Sequence, residues 1–325
     1  MKIALDVMGF ENDISHAIIA ARKFKSLHKN VNFVLVGDKN KIAKLIKSNE
    51  FEIVHADEII SMDTNPLVAL RNTKSSMYIS IDLVARNICD GVLSAGNSGC
   101  YISLVHFLIG TIKNVAKPGF MPFLPTIKKG KYFALVDAGA NSTCDGNDLF
   151  NFAKIASIYI QNIDNINHPR IGVINIGTEQ HKGLEYHHVA NNLLLSDKKI
   201  NYLGFIEPRH LMEDIVEVAV CDGYTGNLVL KSCEGTGKAI SYVLKSKFKM
   251  PWNYLGALFS IPALISIKKT FDYENKAGAV VIGVNKPVVK THGSANKQQF
   301  FSAMILLHKI ITNNITNKIK KAFSK

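Results

Sequence analysis

Short runs of aliphatic residues recur along the chain, and between many of them lie segments of about 10 to 20 residues whose apolar positions repeat at helical spacing. Residues 3–6, 31–38, 51–55, 91–95, 133–137, 171–176, 200–205, 215–222 and 279–284 read as strands. The alternation of β-rich runs with helical segments predicts an α/β fold, a largely parallel sheet sandwiched by helices. Two segments depart from the alternation. Residues 241–269 read as a helix, a Pro-marked turn and a second apolar helix flanked by lysines, which predicts a protruding apolar helical hairpin. Residues 295–321 carry the period of one long amphipathic helix that closes the chain against the core. No repeat or low-complexity linker interrupts the pattern, so residues 1–325 are expected to form a single α/β unit from which residues 241–269 project.

Several strands end alike, in an acidic or small residue followed by Gly or Asn: Asp6 ahead of Gly9, Gly37-Asp38, Ser94-Ala-Gly-Asn97, Asp137-Ala-Gly-Ala-Asn141, Asn175-Ile-Gly177 and Asp222-Gly223. Ligands of open parallel sheets bind beyond the carboxyl ends of the strands, where helix N-termini present free N–H groups. These loops are therefore expected to share one cleft that holds an anionic substrate.

Composition narrows the function classes. An apolar fraction of 47% and a charged fraction of 20% in 325 residues are those of a globular chain with a substantial core. Lys and Arg number 39 against 26 Asp and Glu, a net charge of +13, which favours an acidic partner or a phosphorylated substrate. No aromatic-basic motif points to nucleic acid. Cys89, Cys100, Cys144, Cys221 and Cys233 show no C-x-x-C spacing and read as reduced thiols. His187 and His188 with Glu185 do not complete a zinc pattern, so no metal site is expected. Asp6 interrupts the apolar run that a signal peptide would need, and the apolar window at residues 256–267 contains Pro262 and falls short of the roughly 20 residues of a membrane span. The expected location is cytoplasmic.

Four segments carry candidate chemistry. In Asp222-Gly-Tyr-Thr-Gly-Asn227 the glycines allow close backbone approach, and Thr225 or Asn227 suits the cap of the helix that follows; an ordinary capped turn is the alternative. Ser94-Ala-Gly-Asn-Ser-Gly99 offers Gly96 for close approach to a phosphate, with Asn97 and Ser98 as donors at a helix start. It lacks the Gly-Lys-Ser/Thr of a Walker A loop, and no G-x-G-x-x-G occurs in the chain. Lys182, beside Gly183, can reach a phosphate or stabilise an oxyanion. In Lys290-Thr-His-Gly-Ser294, Lys290 is a candidate phosphate ligand, His292 a candidate proton donor or oxyanion partner and Ser294 a candidate cap; a plain N-terminal cap with solvated side chains is the alternative. No Gly-x-Ser-x-Gly elbow or nucleophilic cysteine motif is present, so the chemistry should rest on positioning and charge stabilisation.

Taken in order, Met1-Lys-Ile-Ala-Leu-Asp6, Ser94-Ala-Gly-Asn-Ser-Gly99, Val136-Asp-Ala-Gly-Ala-Asn141, Asn175-Ile-Gly177 with Lys182-Gly183, Asp222-Gly-Tyr-Thr-Gly-Asn227 and Lys290-Thr-His-Gly-Ser294 resemble the bacterial phosphate acyltransferase family of phospholipid synthesis. Phe10 and Glu11 stand where that family usually has Gly and Asp. The resemblance implies conversion of acyl-[acyl-carrier protein] and inorganic phosphate into acyl phosphate and free carrier protein, feeding glycerol-3-phosphate acylation. It also implies a fold similar to the isocitrate and isopropylmalate dehydrogenases without their nicotinamide cofactor, a homodimer, and peripheral contact with the inner leaflet and the glycerol-3-phosphate acyltransferase. On this reading Lys182, Asp222, Asn227 and His292 serve catalysis, while Gly96, Asn97, Ser98, Asp137, Asn141, Lys290 and Ser294 bind substrate and phosphate. Trp252, Leu255, Leu258 and Phe259 would meet a membrane or the acyl chain, or bury against a second subunit. Two other functions stay open: a phosphotransacetylase using acyl-coenzyme A, and a non-catalytic scaffold that binds carrier protein at a membrane.

Overall fold

The inner strands are apolar and buried on both faces, as core strands of a layered α/β molecule are, while the strands at the two sheet edges, residues 52–55 and 201–206, are partly exposed. The computed structural model describes residues 1–248, 254–270 and 278–324. In chain order the elements are β1 (Lys2–Asp6), α1 (Ser15–Leu27), β2 (Asn32–Gly37), α2 (Lys39–Ala43), β3 (Glu52–His55), α3 (Pro66–Ala69), α4 (Ser76–Ala85), β4 (Gly91–Ser94), α5 (Ser98–Leu108), β5 (Gly119–Pro125), β6 (Tyr132–Val136), α6 (Gly146–Ile163), β7 (Arg170–Ile174), α7 (Glu185–Ser196), β8 (Asn201–Ile206), β9 (Val218–Val220), α8 (Gly223–Phe248), α9 (Tyr254–Thr270), β10 (Ala279–Ile282), β11 (Val288–Lys290), α10 (Lys297–Thr312) and α11 (Ile315–Phe323).

The strands form one sheet in the order β3-β2-β1-β4-β11-β10-β5-β6-β9-β7-β8. Pairing is parallel from β3 to β11 and again from β6 to β8, while β10 pairs antiparallel with both neighbours and β5 pairs antiparallel with β10 and β6. The expected largely parallel sheet is present, and its middle is antiparallel. One buried cluster packs Phe24, Phe152 and Phe300 of α1, α6 and α10 against one face, and another packs Met77, Tyr101 and Ile81 of α4 and α5 against the other.

Three expectations are corrected. Residues 119–125, unread as a strand, form β5, which joins the two parallel blocks: Gly119 to Pro122 pair with β10 and Phe123 to Pro125 with β6. The closing helix is two helices, because Asn314 takes a left-handed conformation (φ 53°) between α10 and α11. Ser294 does not cap α10; Asn296 does, receiving the N–H groups of Gln298 and Gln299. Within the segment at 241–269, residues 241–248 continue α8, and residues 254–269 lie in α9, which touches α8 and holds Pro262 inside it. Trp252 lies outside the described residues, as do the side chains of Leu255 and Leu258. No helix of the described residues is long and apolar enough to cross a membrane.

Candidate functional site

The loops leaving β6, β7 and β9, three parallel neighbours, are built into one another. Asp137 is buried at the end of β6, and its carboxylate accepts the backbone N–H groups of Phe120, Gly139, Ala140 and Asn141 at 2.8 to 3.1 Å and the Asn141 amide at 2.8 Å. Burial still holds its pKa above the ordinary value, against the pull of those N–H groups. The Asn141 amide also donates to Pro118 O at 2.7 Å. Both side chains therefore brace the loop, which forms a platform on which α8 begins.

That contact explains the two glycines. A Cβ on Gly226 would stand 1.9 Å from Asp137 O, and one on Gly223 would stand 2.4 Å from Asn141 O. Close approach, and not an unusual backbone conformation, is what position 226 requires. Asp222, rather than Thr225 or Asn227, caps α8: Oδ1 accepts the Thr225 N–H at 2.9 Å, while Oδ2 accepts the Thr225 hydroxyl at 2.7 Å and the Tyr186 hydroxyl at 3.0 Å. Tyr186, in the first turn of α7, thus ties that helix to α8; sequence reading missed it, because nothing local marks a tyrosine whose partner lies on another loop. Asn227 stands over Gly139, where a Cβ would lie 3.3 Å from its Cγ, and its amide makes no hydrogen bond among the described residues.

The loop after β7 brings in a cation. Asn175 Nδ2 donates to Lys182 O at 2.9 Å, closing residues 175–182 on themselves, and Gly183 follows with φ +98°. Gly177 leaves space for Lys182, since a Cβ there would lie 2.9 Å from Lys182 Cδ. The ammonium, with its side chain 38% exposed, has one loose carboxylate neighbour, Glu179 at 3.5 Å. Lys182 is therefore free to hold an anion brought to it, whereas Asp222, Asp137 and Asn141 are committed to the walls.

A second group forms where β1, β4 and β11 end. Asp6 is buried and accepts the Ser94 hydroxyl at 2.7 Å and Met8 N–H at 3.2 Å; burial pushes it up to about 6, with hydrogen bonds from Ser94 and Ser76 opposing. Ser94 Oγ in turn accepts Gly96 N–H at 3.1 Å, and Ser94 O accepts Thr291 N–H. Gly96 is packed so closely that a Cβ would meet Met77 Cε at 2.4 Å. Asn97 is spent on structure: Oδ1 caps α5 at Cys100 N–H, and Nδ2 donates to Ser61 O, Met62 O and Thr64 O. Ser98 remains exposed at the first turn of α5.

Lys290, at the end of β11 beside Ser94, is buried and donates to Thr291 O at 2.9 Å. Burial pushes its ammonium down to about 8, with Glu11 partly holding it up. The neighbouring Thr291 hydroxyl is buried without a partner among the described residues, a cost of about 1–3 kcal/mol that an incoming acceptor or water would relieve. His292 is exposed, and its Nδ1 accepts the Ser294 N–H at 3.2 Å and pairs with Ser294 Oγ at 2.7 Å. The neutral ring therefore presents Nε2 as its N–H donor. Asp137, Asn141 and Asp222 thus form one set of loop anchors, with Asn227 on the helix they seat and Lys182 on the loop that leads into α7, whose Tyr186 bonds Asp222. Gly96 and the strand end at Lys290 and Thr291 meet through Ser94, with Asn97 and Ser98 opening α5 and His292 paired to Ser294 just beyond.

Comparison with known proteins bears on this arrangement. Residues 1–318 match the family model described as "Fatty acid synthesis protein". Phosphate acyltransferase of Malacoplasma penetrans is 48% identical over 327 residues, covering 100% of this chain and 98% of its own, and that of Mycoplasmoides gallisepticum is 46% identical, covering 99% and 98%. Among solved structures, a phosphotransacetylase from Streptococcus pyogenes superposes with a TM-score of 0.62 at 16% identity over 96% of this chain and 94% of its own. Isocitrate dehydrogenase from Methylococcus capsulatus superposes at 0.50 with 9% identity over 99% and 89%. At such identities these structures speak for the fold alone.

Proposed function

This chain belongs to the fatty acid synthesis protein family and is an enzyme of the phosphate acyltransferase type, and from that premise we propose that it moves a fatty acyl group from acyl-[acyl-carrier protein] to inorganic phosphate at the two loop groups described above. A phosphate oxygen attacks the thioester carbonyl, the C–S bond breaks, and the carrier thiolate leaves and takes a proton. Phosphate is already an anion, and a thiol with a pKa near the roughly 8.5 of cysteine is a good leaving group, so no strong base or covalent nucleophile is needed. What the site must supply is a phosphate cradle and charge stabilisation.

The observation that carries the reading is the pair of under-committed cations on opposite loop groups, Lys182 with one loose carboxylate and Lys290 with one carbonyl. Lys290, the Gly96 to Ser98 turn and Ser294 hold phosphate. Lys182 and the Asn227 amide face the carbonyl oxygen as it becomes an oxyanion, Asp222, Asp137 and Asn141 hold the α8 start in place, and the His292 Nε2–H serves the leaving sulfur. The strands beneath the two groups run in opposite senses by pairing, yet each strand turns by roughly 20–25° from its neighbour, so the five steps from β4 to β9 accumulate about 100–125°. That rotation allows both groups to open onto one cleft.

The finer readings rest on the same residues. The net charge of +13 suits an acidic carrier protein. The product is suited to glycerol-3-phosphate acylation, and the α8–α9 segment, with Phe259 82% exposed, suits a membrane surface or a second subunit of a homodimer. Residues 1–325 act as one unit.

The test is to incubate the purified protein with long-chain acyl-carrier protein or acyl-coenzyme A plus phosphate and to trap acyl phosphate with hydroxylamine. Hydroxamate should form with the carrier-protein donor, and Lys182→Ala should lower turnover on the order of 100-fold. No hydroxamate from either donor refutes the reaction; a fully active Lys182→Ala refutes the role of that lysine.

A further inference from the structure

We propose that Asp6 is a positioning residue for the phosphate loop, acting through the Ser94 hydroxyl to fix the turn at Gly96 and so to aim the start of α5 at the bound anion. The inference rests on assigning that loop to phosphate. Asp6 makes no contact with the exposed Ser98; its influence has to pass through Ser94.

The geometry gives a directional chain. Asp6 lies fully buried at the carboxyl end of β1. Its partners are hydroxyls and an amide, not a cation. An ionised carboxyl accepts hydrogen bonds only, so the Ser94 proton must point at Asp6. The Ser94 lone pairs then face the other way, where they receive Gly96 N–H at 3.1 Å. The same serine receives Thr291 N–H on its carbonyl, and Lys290 is its register partner on β11. One buried carboxyl therefore sets the relation between the turn after β4 and the lysine that ends β11. Gly96 has no slack to find another arrangement, with Met77 filling the space beside its Cα.

A carboxyl buried without a cation is an expensive way to hold a strand end, and the hydrophobic packing around β1 would be served as well by an apolar side chain. It is retained where orientation of a neighbouring dipole matters.

The experiment compares Asp6→Asn, Ser94→Ala and the double variant in the hydroxylamine assay with long-chain acyl-carrier protein as donor, after thermal melts establish cooperative folding. Each single variant should raise the KM for phosphate about tenfold with the donor KM unchanged, and the double variant should show no more than the larger single effect, since the two residues act in series. Ser94→Thr, which keeps the hydroxyl, should restore most of the phosphate affinity. If Asp6→Asn does not fold, Ser94→Ala decides. The inference is overturned by a phosphate KM unchanged in the folded variants, by an equal rise in both KM values, or by effects that multiply in the double variant. Absence of acyl phosphate from the wild-type protein would instead overturn the reaction itself, so the two failures are distinguishable.

Discussion

Asp6 should also make the stability of the fold depend on pH. Burial lifts its pKa from an ordinary 3.8 to about 6, so ionising it is harder in the folded chain than in the unfolded one. Its contribution to stability is therefore present in full below 3.8 and lost as the pH rises through about 6, a change on the order of 3 kcal/mol. Urea unfolding at pH 4 and pH 8 should show the wild type losing about that much more stability over the interval than Asp6→Asn; equal slopes in the two proteins would mean that Asp6 is not buried as described. At this scale the sequence exposed the site only in part. Lys182, beside Gly183, and Lys290, ahead of Thr-His-Gly, stand out as candidate anion ligands in the sequence, and the structure adds that each has few partners, Glu179 for the first and the Thr291 carbonyl for the second. Asp222, Asp137, Asn141 and Asn97 were legible as important but not in their roles, since the same carboxylate or amide suits a ligand and a cap equally, and here all four bond to their own loops or to adjoining segments. Ser94 and Tyr186 act through partners distant in sequence, which no local pattern records.

Among the elements, α8 and α9 carry the sharpest question. Beyond its first turn α8 buries no side chain among the described residues, and α9 leaves Phe259, Ile261 and Ile265 exposed. Phe259→Glu should abolish flotation with anionic liposomes while leaving the sedimentation mass unchanged if the segment meets a membrane; loss of mass with flotation retained would assign it to a second subunit instead. The parallel blocks were readable from aliphatic runs that end in turn residues. β5 was not, because Pro122 and Pro125 sit within Gly119–Pro125 and prolines argue against a central strand; Pro122 and Pro125 fit because the strand pairs at one end with β10 and at the other with β6. The division between α10 and α11 escaped for the opposite reason. Ile315, Ile319 and Phe323 keep an apolar face at helical spacing beyond the left-handed Asn314, so periodicity continues where the backbone does not.

For the molecule as a whole, a net charge of +13 should govern the encounter with an acidic carrier protein. Turnover at low donor concentration should fall several-fold between about 50 and 300 mM salt, while saturated turnover changes little; salt-independent kcat/KM would show that the basic surface does not steer the donor. The layered body also has an unusual mechanical attachment. α8 has 26 residues, a rod about 39 Å long at 1.5 Å per residue, and among the described residues its only buried positions are Gly223 and Gly226, seated against the Asp137 to Asn141 platform. It is a cantilever fixed at its root. A sideways displacement of about 4 Å at the far end rotates the root by roughly 6°, and the root is where Asn227 projects. Whatever grips the distal end therefore holds one end of a lever whose fulcrum is the site proposed for acyl transfer.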